Sequence, residues 1–383
     1  MVLKKIFISA LCAAVLTFGF SCKRDLSDRI KIGAIFSVTG AGSFLGAPEA
    51  KTLEMLEDQI NSQGGINGKK IAVIIKDSGS DPEKAISFAK QLIEEEKVFA
   101  IIGPSTSGET MKIKNICNDG KTILLSCAAA EAIVVPVAKY VFKTPQKDSY
   151  AAIKIFETMK KMGIANIGIV TDNTGFGNEG KKQLETNAPK SGIVIAAAEV
   201  YDKNATDLTG VLTKLKAKNV QAVVNWSIVP AQSIVAKNMK QINFNVPLFQ
   251  SHGFGNIKYA KEAGKAGEGI IFPCGRLFVA DSLPDTNKQK AVLLKYKKDY
   301  ESKYKEDAST FGGHAYDALM ILAEAVKIAG TDTEKVRDAI ENLKDFPGTG
   351  GIFNFSPQDH NGLDISSFEM LTVKDGKFVL YNK

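Results

Sequence analysis

Histidine is nearly missing from this 383-residue chain: His252, His314 and His360 are all it has. No G-x-S-x-G elbow, H-E-x-x-H pair or Walker A loop occurs, so hydrolytic, zinc and phosphoryl-transfer chemistry have no motif to rest on. His314 reads as a cap or packing residue opening a late helix, and His360 as a solvated residue of the polar turn Gln358–Gly362. Cysteine is equally sparse. Cys12 lies in the first apolar run and Cys22 ends it, leaving Cys117, Cys127 and Cys274 in the body. An odd number excludes full pairing. Five or six strand residues separate the levels of Cys117 and Cys127 by roughly 15–20 Å, beyond disulfide reach, and the three lack metal-ligand spacing. Free buried thiols are expected, with no metal and no cofactor. No long run of one charge and no basic-aromatic stripe appears, which removes the footprint of a nucleic-acid binder. The net charge of +7 includes Lys4 and Lys5 at the extreme N-terminus.

The only long apolar run is Ile6–Phe20, preceded by Lys4-Lys5 and closed by Ser21-Cys22. Charged start, short apolar stretch and small residue are the parts of an export signal. Residues 1–22 are read as a signal peptide with a lipobox-like end. Lipid on Cys22 then tethers the chain to a membrane through residues 23–29, giving a periplasmic or cell-surface location. A plain cleaved signal and a retained anchor are the alternatives. The run is shorter than the ~20 residues a spanning helix needs.

From Ile30 onward, strand and helix patterns alternate regularly. Strands are expected at Ile30–Phe36, Ile71–Ile75, Phe99–Ile102 and Thr122–Ser126, with helices at Pro48–Ser62, Pro82–Glu96 and Thr106–Asn118. Asp81 caps the second helix and Pro82 takes its first position. After Pro145 the pattern restarts: helix Ser149–Met162, strand Ile167–Thr171, loop Asp172–Gly180, then further helices and strands to Gln250. This is an α/β architecture of two Rossmann-like units with parallel sheets. Late helices at Gln289–Tyr304, His314–Ala329 and Asp332–Asn342 need a sheet to cover, so the units are expected to exchange segments. One lobe is read as 30–145 plus 279–349 and the other as 146–278 plus 350–383.

The stretch Gly64–Ser107 carries the clearest chemistry. It ends in Gly103-Pro-Ser-Thr-Ser107 at a helix start, where free backbone N–H groups and the positive end of the helix dipole receive an anion. The order and spacing of Lys31-Ile-Gly-Ala, Thr39-Gly40, Gly64-Gly-Ile-Asn-Gly68, Asp77 with Ser80-Asp81-Pro82, Gly103–Ser107 and Tyr316-Asp-Ala318 resemble the type I periplasmic binding proteins of branched-chain amino acid importers. The resemblance spans almost the whole mature length. It implies two lobes joined by a three-strand hinge and closing on a solute. It also implies a monomer that delivers to an ABC permease, and no enzyme activity.

Carried over position by position, the resemblance implies that Ser107, beside Ser105 and Thr106, holds a ligand carboxylate, together with Ala128, Ala129 and Ala130. Ala130 stands where the family has Thr, so a hydroxyl is lost while its N–H remains. Phe44 and Leu45 match the pocket edge, and Phe176 and Trp226 match pocket aromatics. His252 stands where the amino-acid binders place a Glu that pairs with the ligand ammonium. A neutral imidazole accepts only one hydrogen bond and a protonated one repels an ammonium. A ligand without an α-ammonium, an aromatic or 2-oxo acid, is therefore expected, with hydrophobic amino acids as the alternative. A sensory protein feeding a membrane receptor is a second functional class. A dinucleotide-binding enzyme is a third, resting on Gly175-Phe-Gly-Asn-Glu-Gly180 after a strand, with Glu199 about 20 residues on. A turn role for Gly175 and Gly177 is the plainer reading of that motif.

Overall fold

The computed structural model describes residues 28–382; the signal 1–22 with Cys22, and residues 23–27 of the tether, lie outside the described residues. Five parallel strands form the first sheet: β1 (Ile30–Phe36), β2 (Ile71–Asp77), β3 (Ala100–Ile102), β4 (Ile123–Ser126) and β5 (Val141–Lys143), in the order β2-β1-β3-β4-β5. Strands β1, β3, β4 and β5 are buried almost throughout, as strands covered on both faces must be, whereas the edge strand β2 is buried at Ile71 and Ala72 and more open beyond them. The crossover helices are α1 (Ser43–Ser62), α2 (Pro82–Lys90) and α3 (Ser107–Asp119). The Asp81 carboxylate accepts the Glu83 and Lys84 amides at the start of α2, and the Thr106 hydroxyl accepts the Glu109 amide at the start of α3.

The second sheet repeats the plan. Strands β6 (Asn166–Asp172), β7 (Val194–Tyr201), β8 (Ala222–Trp226), β9 (Leu248–Gln250) and β10 (Ile271–Cys274) run parallel, in the order β7-β6-β8-β9-β10. Helices α4 (Asp148–Lys161), α5 (Gly175–Asn187), α6 (Thr209–Lys216), α7 (Ala231–Gln241) and α8 (Ile257–Ala263) accompany it. The chain then returns to the first sheet with α9 (Lys290–Tyr304), α10 (Thr310–Ala329) and α11 (Thr333–Glu341), which bury Leu293, Tyr296, Leu319 and Leu322 against Ile32, Phe36 and Phe142. A short ribbon, β11 (Phe346–Pro347) and β12 (Ile352–Phe353), precedes the hairpin β13 (Glu369–Lys374) and β14 (Lys377–Leu380), which extends the second sheet antiparallel to β10.

The chain thus passes between the sheets three times, and buried polar groups tie the passages together. Lys143 is fully buried, and its ammonium donates to the carbonyls of Ala129 (2.6 Å), Gln146 (3.0 Å) and Pro145 (3.1 Å). Burial pulls its pKa down to about 8. Asp317 on α10 accepts the Thr349 and Gly350 amides at 2.6 and 2.7 Å, while burial pushes its carboxyl up to about 7. Gln146 donates to the Gly350 carbonyl at 2.7 Å, and Asn361 to that of Pro145 at 2.8 Å.

Three sequence expectations need correction. First, α1 starts at Ser43, so Pro48 lies inside the helix rather than at its first position. Proline has no N–H to offer Phe44, and the freed Phe44 carbonyl accepts Asn256 Nδ2 at 2.9 Å from the other half of the molecule. Second, His314 does not open its helix but sits within α10 and is 5 % exposed. Third, His360 is fully buried. Its turn folds over the end of β5, stacking the imidazole on Phe142 with centroids 4.1 Å apart, and the ring nitrogens lie 2.8 Å from the Val141 carbonyl and 3.1 Å from Glu341 Oε1. Cys117, Cys127 and Cys274 are free and buried. Among the described residues no His, Cys, Asp or Glu cluster could hold a metal ion, and no helix is long and apolar enough to cross a membrane.

Candidate functional site

In both sheets the crossovers reverse direction beside the first strand, between β1 and β3 and between β6 and β8. Crevices at the carboxyl ends of such strands are where open α/β sheets take ligands. Here the two crevices face each other. A backbone approach closes them: a Cβ on Gly175, at the start of α5, would stand 2.8 Å from the Gly108 nitrogen at the start of α3. Between them lies a narrow pocket with about 20 Å³ of free interior, room for about one water molecule.

The first wall is polar and held from behind by acids. Ser105 and Ser107 face the pocket with Ala128 and Ala129. The Ser105 hydroxyl is already engaged: it donates to the buried Glu49 carboxylate and accepts the Ser37 amide at 3.0 Å. Burial raises Glu49 well above the usual carboxylate range. Glu109 in turn accepts hydroxyls from Ser37 (2.9 Å) and Thr106 (2.5 Å). Ser107 is different. Its oxygen accepts the Ala130 amide at 3.2 Å, so its own proton has no protein acceptor and is free to turn into the pocket. The Ala130 N–H, expected from the sequence to reach a ligand, is directed at Ser107 instead.

The second wall is aromatic. Phe176 packs against Trp226 with centroids 5.7 Å apart and edge-on to His252 at 5.3 Å; His252 also meets Trp226 and Phe368, each at 5.5 Å. Asp172, at the end of β6, fixes this wall. Its Oδ1 accepts the Thr174 amide (2.9 Å) and hydroxyl (2.5 Å), and its Oδ2 accepts the Ser227 hydroxyl (2.7 Å) and the Ile228 amide (3.2 Å). That positions Phe176 and Ile228, both of which line the pocket. Residues Gly175–Gly180, expected as a loop, form the first turns of α5, capped by Thr174. Their glycines are needed for close approach. A Cβ on Gly177 would lie 2.0 Å from the Asp172 carbonyl, and one on Gly180 2.1 Å from the Trp226 indole.

Of the residues expected at the site, Leu45, Ser105, Ser107, Ala128, Ala129, Phe176 and His252 line one pocket. Four do not. Thr106 lines an outer pocket of about 350 Å³ at the cleft mouth, which Phe176 separates from the inner one. Phe44 packs on Tyr259 at 5.1 Å. Ala130 is buried behind Ser107, and Trp226 is fully buried behind Phe176. The sequence reading missed Cys127, Pro145, Ile228, Gly253, Phe311 and His314, all of which line the inner pocket. Phe311 and His314 come from α10, whose return to the first sheet carries them under the cleft. Burial, with His252 and Lys143 nearby, depresses the His314 pKa to about 3, so this imidazole is neutral.

A pocket between two like α/β halves, one wall carrying hydroxyls and the other aromatic rings, is the kind of cleft in which a small solute is held. The family model described as periplasmic binding protein matches residues 29–377. The chain belongs to that family; it is an ABC-type solute-binding protein rather than an enzyme. It is 27 % identical over 369 residues to the leucine-, isoleucine-, valine-, threonine- and alanine-binding protein of Pseudomonas aeruginosa, covering 94 % of this chain and 95 % of that one. Among solved structures it is similar to an extracellular ligand-binding receptor from Rhodopseudomonas palustris HaA2 (29 % identity, TM-score 0.87, covering 92 % and 99 % of the two chains). It is also similar to the branched-chain amino acid transporter substrate-binding protein LivJ of Streptococcus pneumoniae in complex with isoleucine (27 % identity, TM-score 0.81, covering 91 % and 97 %).

Proposed function

We propose that this protein captures a small hydrophobic carboxylate outside the cytoplasm and delivers it to an ABC permease. The single observation that carries the reading is the opposition of the two walls. Ser107, with a free hydroxyl proton at the N-terminus of α3, faces Phe176 and Ile228 across one pocket. An anion is favoured at the helix start, and an apolar side chain at the aromatic wall. Binding of leucine-like amino acids by relatives supports the size and character of the ligand. The moving bodies are residues 30–145 plus 279–349 and residues 146–278 plus 350–383. Closure brings the walls together about the three passages. The protein works as a monomer, anchored by lipid on Cys22.

Thermal unfolding against a ligand panel tests this. Branched-chain and aromatic amino acids, the corresponding 2-oxo acids, benzoates and NAD make up the panel. A bound ligand at 100 times its Kd adds ~2.7 kcal/mol of stability. Stabilisation by one or more of the carboxylates is expected. Stabilisation by NAD alone, or by none of the carboxylates, overturns the proposal.

A further inference from the structure

The first sheet also has a base. At the amino ends of β1, β2 and β3, opposite the cleft, lies a pocket of about 460 Å³. Arg29, Lys31, Lys69 and Lys97 line it, and Asp28 is the one acid among its walls. None of the four cations forms an ion pair among the described residues. Lys31 Nζ donates to the Glu96 carbonyl at 3.2 Å and keeps its charge. Asp332 and Glu334, at the adjoining start of α11, are engaged elsewhere: the first caps that helix through the Lys335 amide (3.0 Å) and the second accepts the Tyr140 hydroxyl (3.0 Å). Glu94, Glu95 and Glu96 precede Lys97 but are not among the walls. The patch is therefore basic at contact range rather than across the whole base. An apolar side chain stands beside it. Ile328, near the end of α10, is 65 % exposed, the most exposed large apolar side chain among the described residues. Asn67 Nδ2, 3.2 Å from the Val326 and Lys327 carbonyls, ties that helix end to the turn that carries Lys69.

Chain length brings a membrane to this face. The described structure begins at Asp28, in the pocket wall, and Cys22 is six residues back. Six residues reach at most about 22 Å. With lipid on Cys22, the pocket cannot stand farther than that from the bilayer surface. The tether sequence itself adds Lys23 and Arg24 against Asp25. We propose that this pocket docks the molecule on anionic phospholipid, with a phosphate headgroup among Arg29, Lys69 and Lys97 and Ile328 pressed into the interface. The inference rests on the lipid-tether part of the proposed function. A phosphate oxygen gives these cations the charge-assisted hydrogen bonds that no acid of the protein supplies. Each basic residue near an anionic surface is worth about fivefold in partitioning, and an exposed isoleucine gains by leaving water. Docked this way, the molecule turns the carboxyl ends of its strands, and the cleft between them, away from the bilayer for capture. The contact must let go for delivery to a permease, and a few exposed ion contacts are weak enough to allow it.

The mature chain from Cys22, without acyl groups, is tested by co-sedimentation with vesicles of phosphatidylcholine alone and of phosphatidylcholine mixed with phosphatidylglycerol. At low salt, partitioning onto the mixed vesicles is expected to exceed that onto the neutral ones by about tenfold or more, and to fall as salt is added. Lys69→Glu combined with Lys97→Glu should remove most of that preference. Lys190→Glu combined with Lys218→Glu makes the same change of net charge on exposed lysines ahead of β7 and β8, and should leave the preference intact. Both double variants should unfold close to the parent's temperature, because all four lysines are exposed. Equal binding to the two kinds of vesicle, or equal loss in the two double variants, overturns the inference. The mass of the protein extracted from cells reads acylation of Cys22 separately. A bare Cys22 in a chain that still prefers the charged vesicles fails the tether alone. An acylated chain indifferent to vesicle charge fails the docking alone.

Discussion

The two halves of this molecule share a strand order and differ in what they present at the same place. At the strand ends of the first sheet, hydroxyls are backed by buried Glu49 and Glu109, and of the two inner-pocket serines, Ser105 and Ser107, Ser107 is the one that keeps a proton to give. At the strand ends of the second, Asp172 is consumed in holding backbone, and the surface offered is Phe176, Ile228 and His252. One sheet plan therefore supplies a polar wall and an apolar wall. Neither is a binding site alone: a carboxylate on the first wall leaves its side chain in water, and a side chain on the second leaves its carboxylate unpaired. On the function proposed above, affinity is available only when the halves meet, which couples capture to closure.

The sharpest way to break this contrast is Phe176→Ala. It removes a ring that is 2 % exposed and packed against Trp226 and His252; chemical denaturation should show a loss of about 3 kcal/mol or more, with binding of every hydrophobic ligand weakened. Next is Ser107→Ala, which leaves the buried Ala130 amide without its acceptor, at about 1–3 kcal/mol of stability, and should cost roughly 1.5–3 kcal/mol of carboxylate affinity, the worth of a hydrogen bond to a charged group, read by calorimetric titration beside chemical denaturation. Acid acts on the seam between the halves. His314 is held neutral, with its pKa about 3 in the fold against about 6.5 for an unperturbed imidazole. The unfolded chain therefore binds the extra proton below pH 6.5. Its contribution to stability is fully present above that value and falls as the pH drops towards 3, by up to about 1.4 kcal/mol per pH unit. Denaturation midpoints measured from pH 7 to 4 should fall less steeply in His314→Asn. The smallest effect is expected from Asn256→Ala, which removes the 2.9 Å hydrogen bond to the Phe44 carbonyl across the cleft. About 0.5–1.5 kcal/mol of closure should be lost, seen as a modest drop in affinity and a more open particle in solution scattering.

Most of the scaffold was legible because it rests on local signals. Apolar runs of strand length, Asp81-Pro82 at a helix start and the hydroxyl cluster Ser105–Ser107 each announce themselves within a few residues. What the sequence hid is long-range. His360 is polar in its own segment and becomes core only because β5 lies beneath it. Phe311 and His314 reach the pocket through a helix from late in the chain, and no nearby residue marks them. Asp148 stands in an ordinary acidic helix start, and only the fold brings its Oδ1 to 3.3 Å from His252 Nε2. Gly175–Gly180 misled in the other direction. Its spacing is that of a phosphate turn, yet the last glycine is there because an indole occupies the space above it.

The most direct test of the two-wall account is to titrate the protein with L-leucine and with 3-methylbutylamine, the same molecule without its carboxylate, before and after Ser107→Ala. The account predicts binding of leucine, little or none of the amine, and a selective weakening of leucine in the variant. Equal binding of the amine, or leucine binding indifferent to Ser107, would contradict it.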